Sequence, residues 1–467
     1  MFIGRHDELQ FLEEKYRSAG GQLIVLYGRR RVGKTETLRK FCQNKQHVYY
    51  QCTESPNDQQ LTAFSERVLK NGFPAARYIN RFANWDAALG SVAEYPADGK
   101  KLLIIDEFPY MVRGNPAIPS LMQKIWDEGL KDLNVMIVLC GSSMSFIEKE
   151  ILAEKNPLYG RASGVMKLNE MPFQDAIKFV PGYSALDKIA TYAVLGGIPH
   201  YLKQFDDSFP LEENILRNVL TRGSILYSEV EFLMRQELRE IAVYNAIIEA
   251  VALGNTKLGG IHQKTQIEKT KLTAYLNNLM SLNILSREFP ASGGIKEQAN
   301  KQRGLYRVTD NFFRFWYAFI FPNLSELEAG DASGIWNHAV KPSLDVYISR
   351  VFEDICIQYL RTRNRTNSLP FYFTKIGRWW DKGDEIDVMA VDAEKRRFLI
   401  GECKYRNSSV ALSDFAALKR KWSMVGQGED AEFFMFSKSG FSHEVMEAAQ
   451  AGQVSLITAE EIVQSFK

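Results

Sequence analysis

The sequence is poor in the residues that staple or metallate small domains. It has five cysteines in 467 residues, at positions 42, 52, 140, 356 and 403. None sits in a C-x-x-C pair, so zinc and dithiol motifs have no support. Scattered thiols of this kind fit the reduced, buried side chains of a cytoplasmic protein. Long apolar runs are missing too. A membrane helix needs about 20 mostly apolar residues, and the longest runs here, 23–27, 102–105 and 135–140, are strand-sized. The opening Met1-Phe-Ile-Gly-Arg-His-Asp-Glu lacks the basic start, apolar stretch and small-residue cleavage site of a secretion signal. The expectation is a cytoplasmic protein without membrane attachment. No internal repeat or low-complexity tract occurs. A charge excess is absent as well: 58 Lys plus Arg against 56 Asp plus Glu leave +2. That excludes a uniformly basic coat for nucleic acid, though not a local basic patch.

What is present is the composition of soluble globular domains, 45% hydrophobic and 24% charged. A chain of 467 residues accommodates two to four of them. Residues 1–168 alternate strand-like segments (23–27, 47–52, 101–105, 134–140) with helical patterns, which predicts an α/β fold with a parallel sheet. Residues 169–235 read as a helical lid, and helical spacing runs through 233–250. Residues 236–310 read as a winged helix-turn-helix. Its helices end near 253 and span 258–264 and 271–282; strands at 283–289 and 305–308 flank a polar wing at 291–303. The aromatic run 311–321 reads as a buried helix within a connecting segment, 311–345. Residues 346–467 form a second α/β unit. It has a helix at 349–359, strands near 371–374, 385–391 and 397–403, a helix near 411–422 and a strand at 432–436.

Gly28-Arg29-Arg30-Arg31-Val32-Gly33-Lys34-Thr35 matches G-x-x-x-x-G-K-[ST] between a predicted strand and a predicted helix. Glycines let the backbone N–H groups turn toward phosphates, and the helix N-terminus adds positive charge. Lys34 is expected on the β- and γ-phosphates of ATP and Thr35 on Mg²⁺. Asp106-Glu107 ends the apolar run at 102–105, where the strand reaches the carboxyl edge of the sheet. Asp106 is assigned to magnesium and Glu107 to the general base for water. Ser142, at the tip of the strand beside the P-loop, is a candidate γ-phosphate sensor, the alternative being a helix N-cap at Ser142 or Ser143. Arg161 is either an arginine finger or a surface residue.

These motifs resemble archaeal and bacterial AAA+-related ATPases of the STAND-like type. The resemblance rests on Phe2-Ile-Gly4-Arg5-His-Asp-Glu8-Leu9, on Asp106–Tyr110 and on Gly196-Gly-Ile-Pro199-His-Tyr-Leu202. It implies that Gly4 and Arg5 lie near the adenine. It also implies that the Pro199 turn links the lid to the nucleotide state.

A second cluster lies near the C-terminus. Glu385-Ile-Asp387 is on one strand and Gly401-Glu402-Cys-Lys404 ends the next, so Glu402 and Lys404 share a face. Two acids and a lysine suit metal-dependent phosphodiester hydrolysis. Asp387 and Glu402 would hold Mg²⁺, and Lys404 would orient water or stabilise charge. Glu353 on the preceding helix completes the set. The order helix, Asp strand, Glu-x-Lys strand, helix, strand resembles the PD-(D/E)xK restriction-endonuclease-like fold, with Ile386 in place of the usual proline. Together with Asp310-Asn-Phe-Phe-Arg-Phe-Trp-Tyr, the layout resembles ATPases that carry an uncharacterised C-terminal domain of this nuclease-like type.

Residues 257–307 contain nine Lys/Arg and three Asp/Glu, a formal +6 that the total conceals. Lys269, Lys271, Asn277 and Asn278 on the third helix, with Lys296, Lys301 and Arg303 in the wing, would straddle a DNA groove. Protein contact or nucleotide sensing is the other use of such a module. Lys419-Arg-Lys421 would hold a substrate backbone or form a solvated helix face. The expected function is an ATP-hydrolysing switch that controls a Mg²⁺-dependent nuclease-like domain acting on DNA. The alternative is an ATP-driven binding switch with a catalytically silent domain. A protein partner and a homo-oligomer stay open.

Overall fold

The apolar runs become the interior of a parallel sheet. In the computed structural model, which describes residues 2–291, 304–381, 383–394, 396–425 and 431–466, five strands lie side by side. They are β1 (Gln22–Tyr27), β2 (His47–Gln51), β3 (Lys101–Asp106), β4 (Val135–Gly141) and β5 (Gly164–Lys167), in the order β2-β3-β4-β1-β5 and all parallel. β1 and β4 are buried along their whole length, the signature of strands covered on both faces. The sequence pattern did not anticipate β5, a short edge strand with Val165 exposed. By backbone contacts the chain divides into two compact units, residues 1–171 with 198–200, and residues 172–197 with 201–467.

In the second unit, the helical spacing at 233–250 is broken. Helices run Glu229–Glu237 and Ile241–Ala252, and Leu238 between them is extended. No glycine or proline announces the break. Helices Leu258–Thr265 and Lys269–Ser281 follow, the first ended by Gln266 in a left-handed conformation. Next comes an antiparallel pair, β6 (Leu285–Glu288) and β7 (Leu305–Val308). Lys296, Lys301 and Arg303 lie outside the described residues. The aromatic run is helical and buried, as expected. Trp316 donates to the Tyr227 carbonyl at 2.9 Å and Tyr317 to Asn245 at 2.7 Å, which satisfies their polar tips.

The helix expected at 349–359 is longer, Lys341–Arg365. A five-stranded sheet follows: β8 (Lys375–Asp381), β9 (Asp384–Val391), β10 (Phe398–Lys404), β11 (Ala431–Ser437) and β12 (Ser455–Thr458), in the order β12-β11-β10-β9-β8. β8, β9 and β10 are antiparallel, whereas β11 and β12 join in parallel. The strand expected at 371–374 lies at β8 instead, because Gly377, Arg378 and Asp381 interrupt its apolar alternation. Ile386, Met389, Ile400, Leu418 and Met435 form the core, and Ala291 joins them. Ala291 N–H donates to the Arg378 carbonyl on β8 at 2.7 Å. All five cysteines are free thiols. Among the described residues, no helix is long and apolar enough to cross a membrane.

Gly28 has no room for a side chain. A Cβ there would lie 2.3 Å from the Leu168 carbonyl oxygen. Gly28→Ala is expected to destabilise the first unit by roughly 1–3 kcal/mol, measured by denaturant unfolding.

Candidate functional site

The turn after β1 carries the phosphate-binding pattern. Arg31 and Gly33 take left-handed backbone conformations, φ 70° and 95°, which curl the loop ahead of the helix Lys34–Cys42. No side chain caps that helix, so its first N–H groups are available to an anion. Arg29, Arg30 and the buried Val32 complete the loop. Lys34 is buried, and its Nζ donates to the carbonyls of Gly28 (2.8 Å) and Arg29 (2.9 Å). Burial pushes its pKa below the ordinary lysine value.

Asp106 draws the neighbouring strands and the loop together. Its Oδ2 accepts from the Thr35 hydroxyl at 2.9 Å and from the Tyr49 hydroxyl at 2.6 Å, and its Oδ1 accepts from the Glu107 N–H at 3.0 Å. Burial first, then Asp106, raises the Tyr49 phenol above its usual range. Glu107 is in a left-handed conformation, φ 52°. Its carboxylate accepts from the Ser142 hydroxyl (2.9 Å) and N–H (3.3 Å). Ser142 therefore holds Glu107; the residue preceding the short helix is Ser143, whose side chain makes no cap.

The structure brings Lys34, Thr35, Asp106, Glu107 and Ser142 together. Tyr49 was not expected. It enters because β2 pairs in parallel with β3, Tyr49 opposite Ile104, a register that local pattern does not reveal. Gly4 and Arg5 are both left-handed. The buried Arg5 guanidinium donates to the carbonyls of Val32 (2.6 Å) and Asn169 (2.8 Å) and to Glu8 (2.8 Å), so this element braces the P-loop backbone. The Pro199 ring lies 3.8 Å from where a Cβ on Gly33 would sit. Arg161 is held elsewhere, by Asp127 (2.7–3.1 Å) and the Pro157 carbonyl (2.9 Å).

In the C-terminal sheet, Asp387 Oδ2 accepts the Cys403 N–H at 2.8 Å. Glu402, 6% exposed, meets Lys404 at 2.7 Å. It also meets Lys421, from the helix Leu412–Val425, at 3.0 and 3.2 Å. Burial alone would lower the Lys404 ammonium, but Glu402 more than offsets this and its pKa is raised. Glu353, Glu385 and Asp387 each bring one carboxylate oxygen within 4.8 Å of the others, an all-oxygen donor set of the kind magnesium or manganese accepts. Glu353 also accepts from Arg378 (2.6 Å) and Arg350 (3.4 Å), and Arg350 reaches Glu385 (3.0 Å). Sequence reasoning brought in Glu353, Asp387, Glu402 and Lys404. It missed Glu385, which period-two alternation places on the face of Asp387. Arg378 and the pairing of Lys421 with Glu402 carried no local signal.

The +6 segment is less available than its count suggests. Arg307 is ion-paired with Asp354 and lies 3.9 Å from Glu288. Arg287 lies over the rings of Phe289 and Tyr306. Lys269, Lys271 and Asn277 are exposed on the third helix.

Residues 2–205 match a family described as an ATPase domain predominantly from Archaea. Residues 316–415 match one described as archaeal and bacterial proteins of unknown function. An uncharacterised protein of Methanocaldococcus jannaschii is 34% identical over 441 residues, which cover 93% of this chain and 94% of that protein. The chain belongs to this family of archaeal-type P-loop ATPases. A second relative of the ATPase, an uncharacterised ATP-binding protein of the same organism, is 56% identical over 45 residues, 10% of this chain and 76% of that one. Among solved structures, the ORC2 protein of Aeropyrum pernix in ADPNP–ADP complexes aligns over 70% of this ATPase and 95% of that chain. Its identity is 14% and its TM-score 0.45.

Asp387 of the ATPase has its pKa pushed up to about 8, by burial first and then by Glu353 and Glu402. An acid whose pKa rises on folding favours the folded state while protonated. That stability is lost as pH rises from the unfolded value, about 4, through the folded one. Asp387→Asn cannot ionise. It is expected to unfold at least about 2 °C above the parent at pH 8, with the gap closing toward pH 4, in thermal melts at the two pH values.

Proposed function

We propose that ATP binding and hydrolysis at the P-loop control a C-terminal nuclease-like domain that acts on DNA with a divalent cation. Residues 2–205 are an ATPase domain, so the new part is what that domain governs. The observation that carries it is the convergence of Asp387, Glu402 and Lys404 from adjacent strands with Glu353 from the preceding helix.

At the nucleotide site, Lys34 exchanges the carbonyls of Gly28 and Arg29 for phosphate oxygens. Thr35 and Asp106 are the side chains that would hold magnesium, which neutralises charge on the phosphates when bound. Glu107 takes the proton of the attacking water, and Ser142, which bonds Glu107, registers the γ-phosphate through it. In the C-terminal domain, the carboxylates around Asp387 would hold the cation that activates water, and Lys404 stabilises negative charge. The three helices and hairpin of 241–308 read as a winged helix that contacts DNA through Lys269 and Lys271.

Lys34→Ala is expected to abolish ATP binding and hydrolysis, measured by nucleotide titration and phosphate release. With Mg²⁺ and ATP, the parent is expected to cut at least one of linear, supercoiled, branched or single-stranded DNA, and Lys404→Ala to abolish the cutting. Intact substrates throughout would remove the nuclease role; cutting that survives Lys404→Ala would assign it to another protein. One observation favours a second reading, a silent domain used only for binding. Glu353 and Glu402 are already neutralised by Arg378, Arg350, Lys404 and Lys421. Salt-dependent DNA binding without cleavage is its expected result.

A further inference from the structure

Glu402 occupies the position that the Glu-x-Lys pattern assigns to a cation ligand, yet its surroundings are already cationic. Lys404 reaches one carboxylate oxygen at 2.7 Å, and Lys421 reaches both, at 3.2 and 3.0 Å. The two lysines come from different elements, β10 and the helix Leu412–Val425. Their side chains remain 25% and 21% exposed, while that of Glu402 is 8% exposed. Within this trio two ammonium groups answer one carboxylate, and Asp387 and Asp414 also act on Lys404. Each ammonium has three N–H donors, more than Glu402 takes up, so donors remain on the accessible side. The carboxylate oxygens that cluster within 4.8 Å belong to Glu353, Glu385 and Asp387, and Glu402 is not in that group.

We infer that Lys404 and Lys421 form a site for a phosphodiester of a nucleic-acid strand, with Glu402 positioning the two lysines instead of ligating the cation. The inference rests on the nuclease-like reading and divides its labour. The carboxylates of Glu353, Glu385 and Asp387 face a divalent cation, and the paired ammonium groups face the phosphate. Lysine binds phosphate as a point charge and lacks the fork geometry of arginine. Anchoring both stems on one buried carboxylate removes side-chain freedom that binding would otherwise have to remove.

The test uses the full chain. It is titrated with Mn²⁺ alone and, separately, with short labelled single-stranded DNA and RNA at several salt concentrations. Lys421→Gln is expected to weaken oligonucleotide binding about fivefold and to lower the slope of log affinity against log salt by about 0.7, one phosphate contact on a single strand. Lys421→Arg restores most of both. Glu402→Gln is expected to bind Mn²⁺ within about twofold of the parent, and Asp387→Asn to lose about tenfold, as removal of a ligand should. Should Lys421→Gln fail to fold, the charge-balanced double variant Glu402→Gln, Lys421→Gln replaces it. Unchanged affinity and slope on removal of Lys421, or no oligonucleotide binding by the parent, overturns the anion site. Loss of Mn²⁺ binding in Glu402→Gln overturns the positioning role. If binding depends on Lys421 but Asp387→Asn takes up Mn²⁺ like the parent, the anion site stands and the cation-dependent nuclease reading falls. The DNA and RNA arms show which strand supplies the phosphodiester.

Discussion

A guanidinium with no exposure to water has to be answered by acceptors on every side, and Arg378 is such a group. Its nitrogens reach Glu353 (2.6 Å), Glu288 (3.1 Å), Asp354 (3.2 Å) and the Arg350 carbonyl (3.3 Å). These acceptors come from the helix Lys341–Arg365 and from β6, while Arg378 itself is on β8. Arg307 on β7 pairs with the same Asp354. Breaking one such buried pair costs ~3–5 kcal/mol, because the partner is left charged and unpaired. The network therefore fixes three things together. It seats the β6–β7 hairpin against the C-terminal sheet, beside the hydrogen bond from Ala291 to Arg378. It sets the packing of the long helix. It also sets the orientation of Glu353, one of the acids around Asp387.

Asp106 has the corresponding place in the ATPase domain. Thr35, Tyr49 and the Glu107 backbone all donate to its two oxygens. A carboxylate at the tip of a buried strand needs donors, and here they come from the P-loop helix, the adjacent strand and the next residue. That convergence turns a sequence separation of 71 residues between Thr35 and Asp106 into one site. Glu107 follows directly, and its left-handed backbone carries its carboxylate to Ser142 on the neighbouring strand end.

What could be read in the sequence follows from how local each signal is. The P-loop is contiguous, and the Asp106-Glu107 pair closes an apolar run, so both were legible together with the parallel sheet. Glu-x-Lys was legible because alternation along one strand puts Glu402 and Lys404 on one face. Tyr49 was not, because its partner depends on the pairing of β2 with β3. Lys421 is legible in Lys419-Arg-Lys421 as a hold for a substrate backbone or a solvated helix face, but its contact with Glu402 is not, since that depends on how the helix packs over β10. The strand β8 was misplaced because Arg378 and Asp381 break its apolar alternation. Ion pairs stabilise what the pattern counts as a poor strand. The interruption at 238–240 left no glycine or proline to mark it, so tertiary packing overrode the periodicity.

The total of +2 does not show which cations are committed to acids within the protein, and two of those counted as basic patches are. Arg307 was counted in a DNA-facing +6, but its guanidinium is turned to Asp354. Lys421 belonged to a basic helix face, but its ammonium lies on Glu402. A cation used as an internal counter-ion contributes little to the long-range field that steers a polyanion, because its carboxylate partner cancels it at a distance. What remains is the place where two cations share one acid. At Lys404, Lys421 and Glu402 two ammonium groups share one buried carboxylate, with Asp387 and Asp414 also acting on Lys404. On the phosphodiester-site proposal, the attraction of a strand to this domain rests on short-range geometry at one buried carboxylate instead of on net charge.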